Sequence, residues 1–356
     1  MTAKQRASLS DLRLACCQSL GDRMVVPLAL ELLRELLPHQ CASFAWVSDR
    51  GEVVDSCLWN IDPQALLRYY RDFYRRPIEE EVRPSISALA TSGVEIENST
   101  SYRMRLPGSA IHEAFCEPLE IGNLLRAVVR ADGRPLAVME LCGHRSEDAF
   151  SRRDEALLRS VLPYLAHAMT VEHAAAERWI EHGDEGVVIV DRAGHVQHAD
   201  HMARHLLFLA VGGGSVRQGA GAVRELLARL LRQFDQSITR PVPAPASMQI
   251  DNRWGSFSLR AHDLGETPSS PGPFVAVRIR RRIPLTLRLL NGLRRLPLSE
   301  RQKQVCLLVC RGLTLKEIAR EMAIGVATVD DYLRVIYQRL GVNGREGLIM
   351  ALMLST

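Results

Sequence analysis

Lysine is nearly absent from this chain, in which Lys4, Lys303 and Lys316 stand against 42 arginines. A Walker A phosphate-binding loop ends in Gly-Lys-Ser or Gly-Lys-Thr, and neither tripeptide occurs. ATP-driven regulators are therefore excluded. A phosphoacceptor receiver domain needs a lysine late in its fold, and no lysine lies between residues 4 and 303. Control by a phosphorelay is not expected.

Long apolar runs are also missing. No stretch approaches the roughly 20 residues that a membrane helix needs, and Met1–Asp11 is too polar for a secretion signal. We therefore expect a cytoplasmic protein without membrane contact. A length of 356 residues, with 47% hydrophobic and 24% charged residues, predicts two or three globular domains.

The eight cysteines contain no C-x-x-C pair and no zinc-ribbon spacing. Cys306 and Cys310 lie one helical turn apart, which leaves oxidation sensing open, but packing in a core is favoured. The nucleophile motif G-x-S-x-G is absent, and no carboxylate pair or GxGxxG stands in a supporting context. We expect a protein that is not an enzyme and holds no cofactor or metal.

Positive charge is concentrated at the C-terminal end. Residues 286–356 carry 11 basic and 6 acidic side chains, a net charge of +5, whereas the whole chain has only +4. The preceding residues are therefore close to neutral. A basic module on a near-neutral body is typical of a phosphate-binding domain.

Four helices are predicted between Ser299 and Leu354. Ser299 with Gln302 and Thr314 with Glu317 are capping boxes that begin the first two. A tight turn, 324–326, precedes a third helix, Thr328–Leu340, with its apolar stripe at heptad-like spacing, and the last helix begins near residue 344. Gly341 fits the position just after the third helix.

These segments resemble the LuxR/GerE family of transcription regulators nearly position for position. The matching runs are LSERQKQV, GLTLKEIAREM and ATVDDYLRVIYQRLGV, followed by Arg345. The resemblance implies an all-α, four-helix, wingless helix-turn-helix domain whose third helix enters the major groove of double-stranded DNA. It also implies that the fourth helix supports a homodimer.

The candidate DNA-binding residues follow from this resemblance and from helical geometry: Lys316, Thr328, Asp330, Asp331, Arg334, Arg339 and Arg345. Lys316, Arg339 and Arg345 occupy positions that are typically basic in the family and are candidate phosphate contacts. The family commonly has Lys where this chain has Asp330. The acidic pair, Asp330 and Asp331, accepts hydrogen bonds from cytosine, favours the helix N-terminus, or weakens DNA binding, and the sequence leaves these alternatives open.

The N-terminal region, residues 1–175, is predicted to be α+β. A helix over 27–37, strands over 41–47 and 52–59, a hairpin over 124–142 and a helix over 151–169 follow in order. This pattern resembles a GAF-type sensor domain. The resemblance implies a place for a small-molecule effector.

The middle region, residues 176–284, begins with a strand over 186–191, a Gly turn and a second strand over 195–199. Later strands are predicted over 254–260 and 274–279. The arrangement resembles a PAS-type sensor domain. Arg280–Pro284 is interpreted as a basic linker to the third domain, residues 285–356.

Four histidines lie within eleven residues of the middle region: His195, His198, His201 and His205. His201 and His205 have the one-turn spacing of metal ligands on a helix. Surface histidines are the favoured interpretation, and a metal or haem site is the alternative.

The sequence as a whole predicts a regulator that binds DNA in a sequence-specific manner and is modulated by its sensor domains. The rival hypothesis is a protein-interaction regulator whose helix-turn-helix has weakened or lost DNA binding. Asp330 and Asp331 are the observation that favours this rival.

Overall fold

The computed structural model describes residues 1–74, 76, 84–98, 108–171, 178–180, 184–214, 221–238, 246–265 and 272–355. These residues form two sheet-containing α+β regions followed by a helical region. The expected multidomain architecture is confirmed. Within the described part of the chain, none of the helices has both the length and the apolar character of a membrane span.

The N-terminal region is built on a five-stranded antiparallel sheet. Its strands are β1 (Cys41–Val47), β2 (Val53–Trp59), β3 (Ile96–Asn98), β4 (Ile121–Ala131) and β5 (Arg134–His144), in the spatial order β2-β1-β5-β4-β3. Its helices are α1 (Ala3–Cys16), α2 (Asp22–Leu36), α3 (Pro63–Asp72), α4 (Ile86–Thr91) and α5 (Arg152–Thr170), with a π-helical turn over His112–Cys116. The elements predicted here are present, but both hairpin strands extend beyond the expected range, and the helix expected from residue 27 begins at Asp22 with Pro27 inside it.

The middle region contains a second antiparallel sheet. Its strands are β6 (Trp179–Ile180), β7 (Glu185–Asp191), β8 (Val196–Ala199), β9 (Ser247–Asn252), β10 (Gly255–Asp263) and β11 (Phe274–Pro284). The order is β8-β7-β11-β10-β9, and β6 pairs with the end of β11. Helices α6 (His201–Ala210) and α7 (Ala222–Ile238) separate β8 from β9.

The C-terminal region consists of five helices: α8 (Leu285–Leu293), α9 (Glu300–Arg311), α10 (Leu315–Glu321), α11 (Val326–Leu340) and α12 (Gly344–Leu354). The last four are those predicted, and α8 is an addition that packs against α12.

The interpretation of Arg280–Pro284 as a linker is wrong, because these residues are the last part of β11. Pairing with β10 and β6 holds them in the sheet, and Pro284 is at once the end of the strand and the N-cap of α8. The composition of a run of arginines predicts a solvent-exposed segment. On a strand, however, alternate side chains face opposite sides of the sheet, so such a run can form part of a sheet. The first proposed boundary, at residue 175, lies outside the described residues.

The helical region docks on the N-terminal region through two ion pairs. Nζ of Lys303 on α9 is 2.6 Å from Oδ1 of Asp11 on α1, and the two side chains are 6% and 10% exposed. Arg294, just after α8, lies 2.8 Å from Glu31 on α2. The first pair is buried, so it fixes the position of α9 against α1.

Aromatic and arginine side chains join the N-terminal and middle regions. The rings of Trp46 on β1 and Trp254 before β10 meet edge to face, with centroids 5.5 Å apart. The guanidinium of Arg23 lies over the Trp46 ring at 3.6 Å and pairs with Asp55 at 2.9 Å. This cluster is buried, and among the described residues apolar side chains of all three regions belong to one large core cluster, beside a small separate one formed by Cys41, Leu124 and Cys142.

Candidate nucleic-acid interface and ligand cavity

Two capping boxes position the helices that precede the candidate recognition helix. The Ser299 hydroxyl accepts from the backbone N–H of Gln302, whose side chain accepts from the Ser299 N–H in return. Thr314 and Glu317 repeat the arrangement at α10. Hydrogen bonds from the backbone N–H and the hydroxyl of Thr314 lower the pKa of the Glu317 carboxyl. These local bonds fix where α9 and α10 begin.

The candidate recognition helix is α11. Val329, Leu333 and Ile336 are buried along one side, as predicted from the apolar stripe, and Leu340 is half-buried. The helix begins at Gly325 without a side-chain cap and ends at Gly341, whose φ of +64° suits a residue without a Cβ. The opposite side of the helix faces outward.

The four candidate residues on the first half of α11 are all exposed: Thr328, Asp330, Asp331 and Arg334. Nη2 of Arg334 lies 2.6 Å from Oδ1 of Asp331, one turn away on the helix. The positive charge of Arg334 is therefore balanced within the helix, whereas Asp330 presents its carboxylate on the outer face.

The three candidate phosphate contacts are also exposed but differ in their surroundings. Arg339 donates to the carbonyl oxygen of Pro297 at 2.8 Å, and Arg345 donates to the carbonyl oxygen of Cys310 at 3.0 Å. The guanidinium of Arg345 thus caps the C-terminal end of α9. Lys316 extends from the first turn of α10.

Lys303 was not singled out by the sequence, although it is one of only three lysines. Its ammonium group is buried against Asp11, 292 positions away in the chain. Burial raises the pKa of the Asp11 carboxyl, and the hydrogen bond and charge of Lys303 only partly offset this effect. The rarity of lysine was the only feature of the sequence that marked Lys303, and it did not indicate Asp11 as its partner.

A cavity of about 120 Å³ lies on the outer face of the N-terminal sheet. Its lining is mostly apolar and includes Leu58, Tyr69, Ile86 and Phe115. Its polar groups are Ser43, Ser56, Tyr70, Asn123 and Glu140. It is bounded by β1, β2, β4 and β5 of the sheet and by α3, α4 and the π-helical turn.

The polar groups of this cavity are held by hydrogen bonds and an ion pair. Glu140 accepts from the hydroxyl of Ser43 at 3.1 Å and pairs with the fully buried Arg126 at 3.0 Å. The hydroxyls of Ser56 and Tyr70 are in contact, and burial raises the pKa of Tyr70. Asp55, next to Ser56, faces the opposite side of the sheet and pairs with Arg23.

The histidines of the middle region are not assembled into a metal site within the described ranges, where no group of three potential ligands occurs. His195 Nδ1 lies 3.0 Å from Asp191 at the exposed turn between β7 and β8. His205 is half-buried, and desolvation lowers its pKa.

The geometry of α10 and α11 defines the class of this region. A capped helix, a tight turn and a longer helix with an exposed polar face form a helix-turn-helix, a class that places its second helix in the major groove of DNA. Residues 296–352 match the family model described as bacterial regulatory proteins, luxR family. The C-terminal domain therefore has the fold and the family match of the helix-turn-helix found in DNA-binding regulators. No curated protein matches the chain.

Solved structures are similar to parts of the chain at low identity. A GAF domain from an Acinetobacter phosphoenolpyruvate-protein phosphotransferase is 14% identical, with 47% of this chain and 94% of that chain covered and a TM-score of 0.32. The VqmA dimer of Vibrio cholerae, described as a LuxR-type receptor, is 16% identical, with 48% and 82% covered and a TM-score of 0.19. Both scores are below 0.5, so these likenesses carry no functional assignment.

Proposed function

We propose that this protein is a transcription regulator that binds a two-fold-related pair of DNA half-sites as a homodimer, under the control of a small-molecule effector. The observation that carries the proposal is the exposed polar face of α11 in a LuxR-family domain. Docking through α9 and α1 leaves all seven candidate DNA-binding side chains exposed. The proposed role is regulatory and requires no catalytic residue.

Phosphate contact is assigned to Lys316, to Arg339 in the last turn of the recognition helix and to Arg345 at the start of α12. The hydrogen bonds of the two arginines to backbone carbonyls use one donor atom each. A guanidinium has five N–H donors, so both retain donors for phosphate oxygens. Lys316 has the simplest surroundings and gives the clearest test.

The test is DNA binding measured as a function of salt concentration. Binding of the wild-type protein should weaken as salt rises, and Lys316→Ala should weaken binding at every sequence and reduce the salt slope by about 1. Lys4→Ala, which removes the same charge far from α11 along the chain, is the control. A protein that shows no salt-dependent binding to any DNA would falsify the proposal.

A partner-binding role is the second candidate, and the Asp331–Arg334 pair favours it. This ion pair cancels one positive charge on the face that would meet DNA, and Asp330 adds a negative one. Asp330→Lys separates the two candidates, since it reverses the charge at an exposed position. If the wild type binds no DNA and Asp330→Lys does, the result supports the partner-binding role. A change in preferred base at one position supports base contact by Asp330.

The effector is assigned to the cavity of the N-terminal sheet, and its lining fits a small apolar molecule with one hydrogen-bond donor. Indole, an apolar ring with one N–H, is a suitable probe. Saturation transfer to indole in NMR should be seen with wild type and lost in Ala65→Phe, which fills the cavity from α3. Gln64→Phe, with the same ring on an exposed neighbouring position, should retain it. Absence of transfer with wild type would count against this assignment.

A further inference from the structure

The outer face of the middle sheet carries a second cavity, of about 210 Å³, in which arginine predominates. Arg278, Arg280 and Arg282 alternate along β11, so their side chains share one face of the sheet. The intervening residues of β11 are buried on the other face. Arg260 on β10 stands directly opposite Arg278. Four guanidinium groups therefore line one concave surface.

This cluster of like charges lowers the stability of the folded sheet. Like charges directly opposite each other across two strands destabilise a sheet, and Arg260 with Arg278 is such a pair. Glu185 pairs with both Arg278 and Arg280, the latter at 2.7 Å, but it stands beside the cavity and is absent from its lining. One carboxylate shared by two arginines leaves the surface strongly positive.

The guanidinium groups also retain unused hydrogen-bond donors. Nε of Arg282 is buried and has no hydrogen-bond partner among the described residues. The side chains of Arg278 and Arg280 remain 39% and 38% exposed, with only their Nε atoms paired to Glu185. An unmade hydrogen bond at a buried, charged donor is unfavourable unless a ligand completes it.

Neutral donors complete the lining. Ser258 lies opposite Arg280 and next to Gln249 of β9, while Ser247 lies opposite Arg260. Asp251, farther along β9, lies opposite Ser256 and accepts from Gln249 at 3.4 Å, so it sits at the edge of this surface. Hydroxyl, amide and guanidinium groups around one small space match the acceptor oxygens of a phosphoryl or carboxylate group.

We propose that this surface, formed by Arg260, Arg278, Arg280 and Arg282, binds a compact oxyanion ligand carrying two neighbouring phosphoryl or carboxylate groups. The concave shape and small volume favour a small ligand over duplex DNA, whose backbone requires an open surface. β11 continues through Pro284 directly into α8. Occupation of the site therefore acts on the strand that carries the DNA-binding region.

The experiment is calorimetric titration of the full chain with inorganic pyrophosphate and, separately, with citrate, at constant ionic strength. We expect saturable binding of one of them, and the preferred anion distinguishes a phosphoryl from a carboxylate ligand. Arg278→Gln/Arg280→Gln should weaken that binding at least tenfold. Arg278→Lys/Arg280→Lys, which keeps the charge but loses the planar fork, should give an intermediate loss in a folded protein.

The matched control is Arg152→Gln/Arg153→Gln, which removes the same charge from the exposed start of α5. It should leave anion binding unchanged. The proposal is overturned when neither anion binds in a saturable manner, or when the control loses as much affinity as the site variant. It is also overturned when the site variant weakens binding of random-sequence DNA without any binding of the small anions, because the surface then serves DNA.

Discussion

At the scale of single residues, burial decides which polar and nucleophilic groups are available. The sequence left open whether Cys306 and Cys310 sense oxidation or pack in a core. Both side chains are buried, and desolvation raises the pKa of each thiol to about 12. The packing interpretation is confirmed, since the thiolate is the reactive form of cysteine.

The reactivity of these thiols gives a direct test. In the native protein at pH 8, iodoacetamide should label the exposed Cys17. Over the same time it should leave the buried Cys306 and Cys310 unmodified. In urea all three should react at similar rates, because their environments become alike. Peptide mass spectrometry after timed quenching measures each site. Rapid native labelling of Cys306 would show that α9 opens readily or that its thiols are accessible.

At the scale of the elements, capping explains why the helix boundaries of the C-terminal region were readable in advance. Ser299 and Thr314 act within three residues of themselves, so their hydrogen bonds follow from sequence alone. Arg280–Pro284 was misread as a linker because strand pairing depends on residues far away in sequence. The composition of this segment shows only that it is positively charged. Its extended conformation is set by pairing with the strands β10 and β6.

The cap of α10 can be removed without touching the core. Thr314→Ala should cost about 1 kcal/mol of local stability, because the backbone N–H of Glu317 loses its acceptor. Faster amide exchange in the first turn of α10 would report the loss. Thr314→Ser keeps a hydroxyl at the same position and should preserve protection. Equal exchange in the alanine variant and the wild type would argue against a role for this cap.

At the scale of the whole molecule, the buried Lys303–Asp11 pair links the DNA-binding region to the N-terminal region. Removing one partner of a buried pair is more harmful than replacing both with apolar groups. Lys303→Met should therefore destabilise the docked arrangement by about 3 kcal/mol, whereas Asp11→Leu/Lys303→Met should recover most of the loss. Amide exchange of α1 and α9 in a double-mutant cycle measures the coupling.

This pair also predicts a pH dependence. Burial raises the pKa of Asp11 in the folded protein, so the folded state holds a proton more tightly there than the unfolded state does. In Lys303→Met the penalty for the isolated carboxylate should shrink as the pH falls from 8 towards 5, because protonation removes the charge. The same loss at both pH values would exclude Asp11 as its source.

The sequence by itself determined the helix-turn-helix, its caps and apolar stripe, and most strands of both sheets, because these depend on neighbours a few residues apart. It also singled out the exposed face of α11. Only the tertiary structure decided that Lys303 is buried against α1 and that four arginines share one concave sheet face. These features arise from contacts between distant segments, whose geometry no local pattern records.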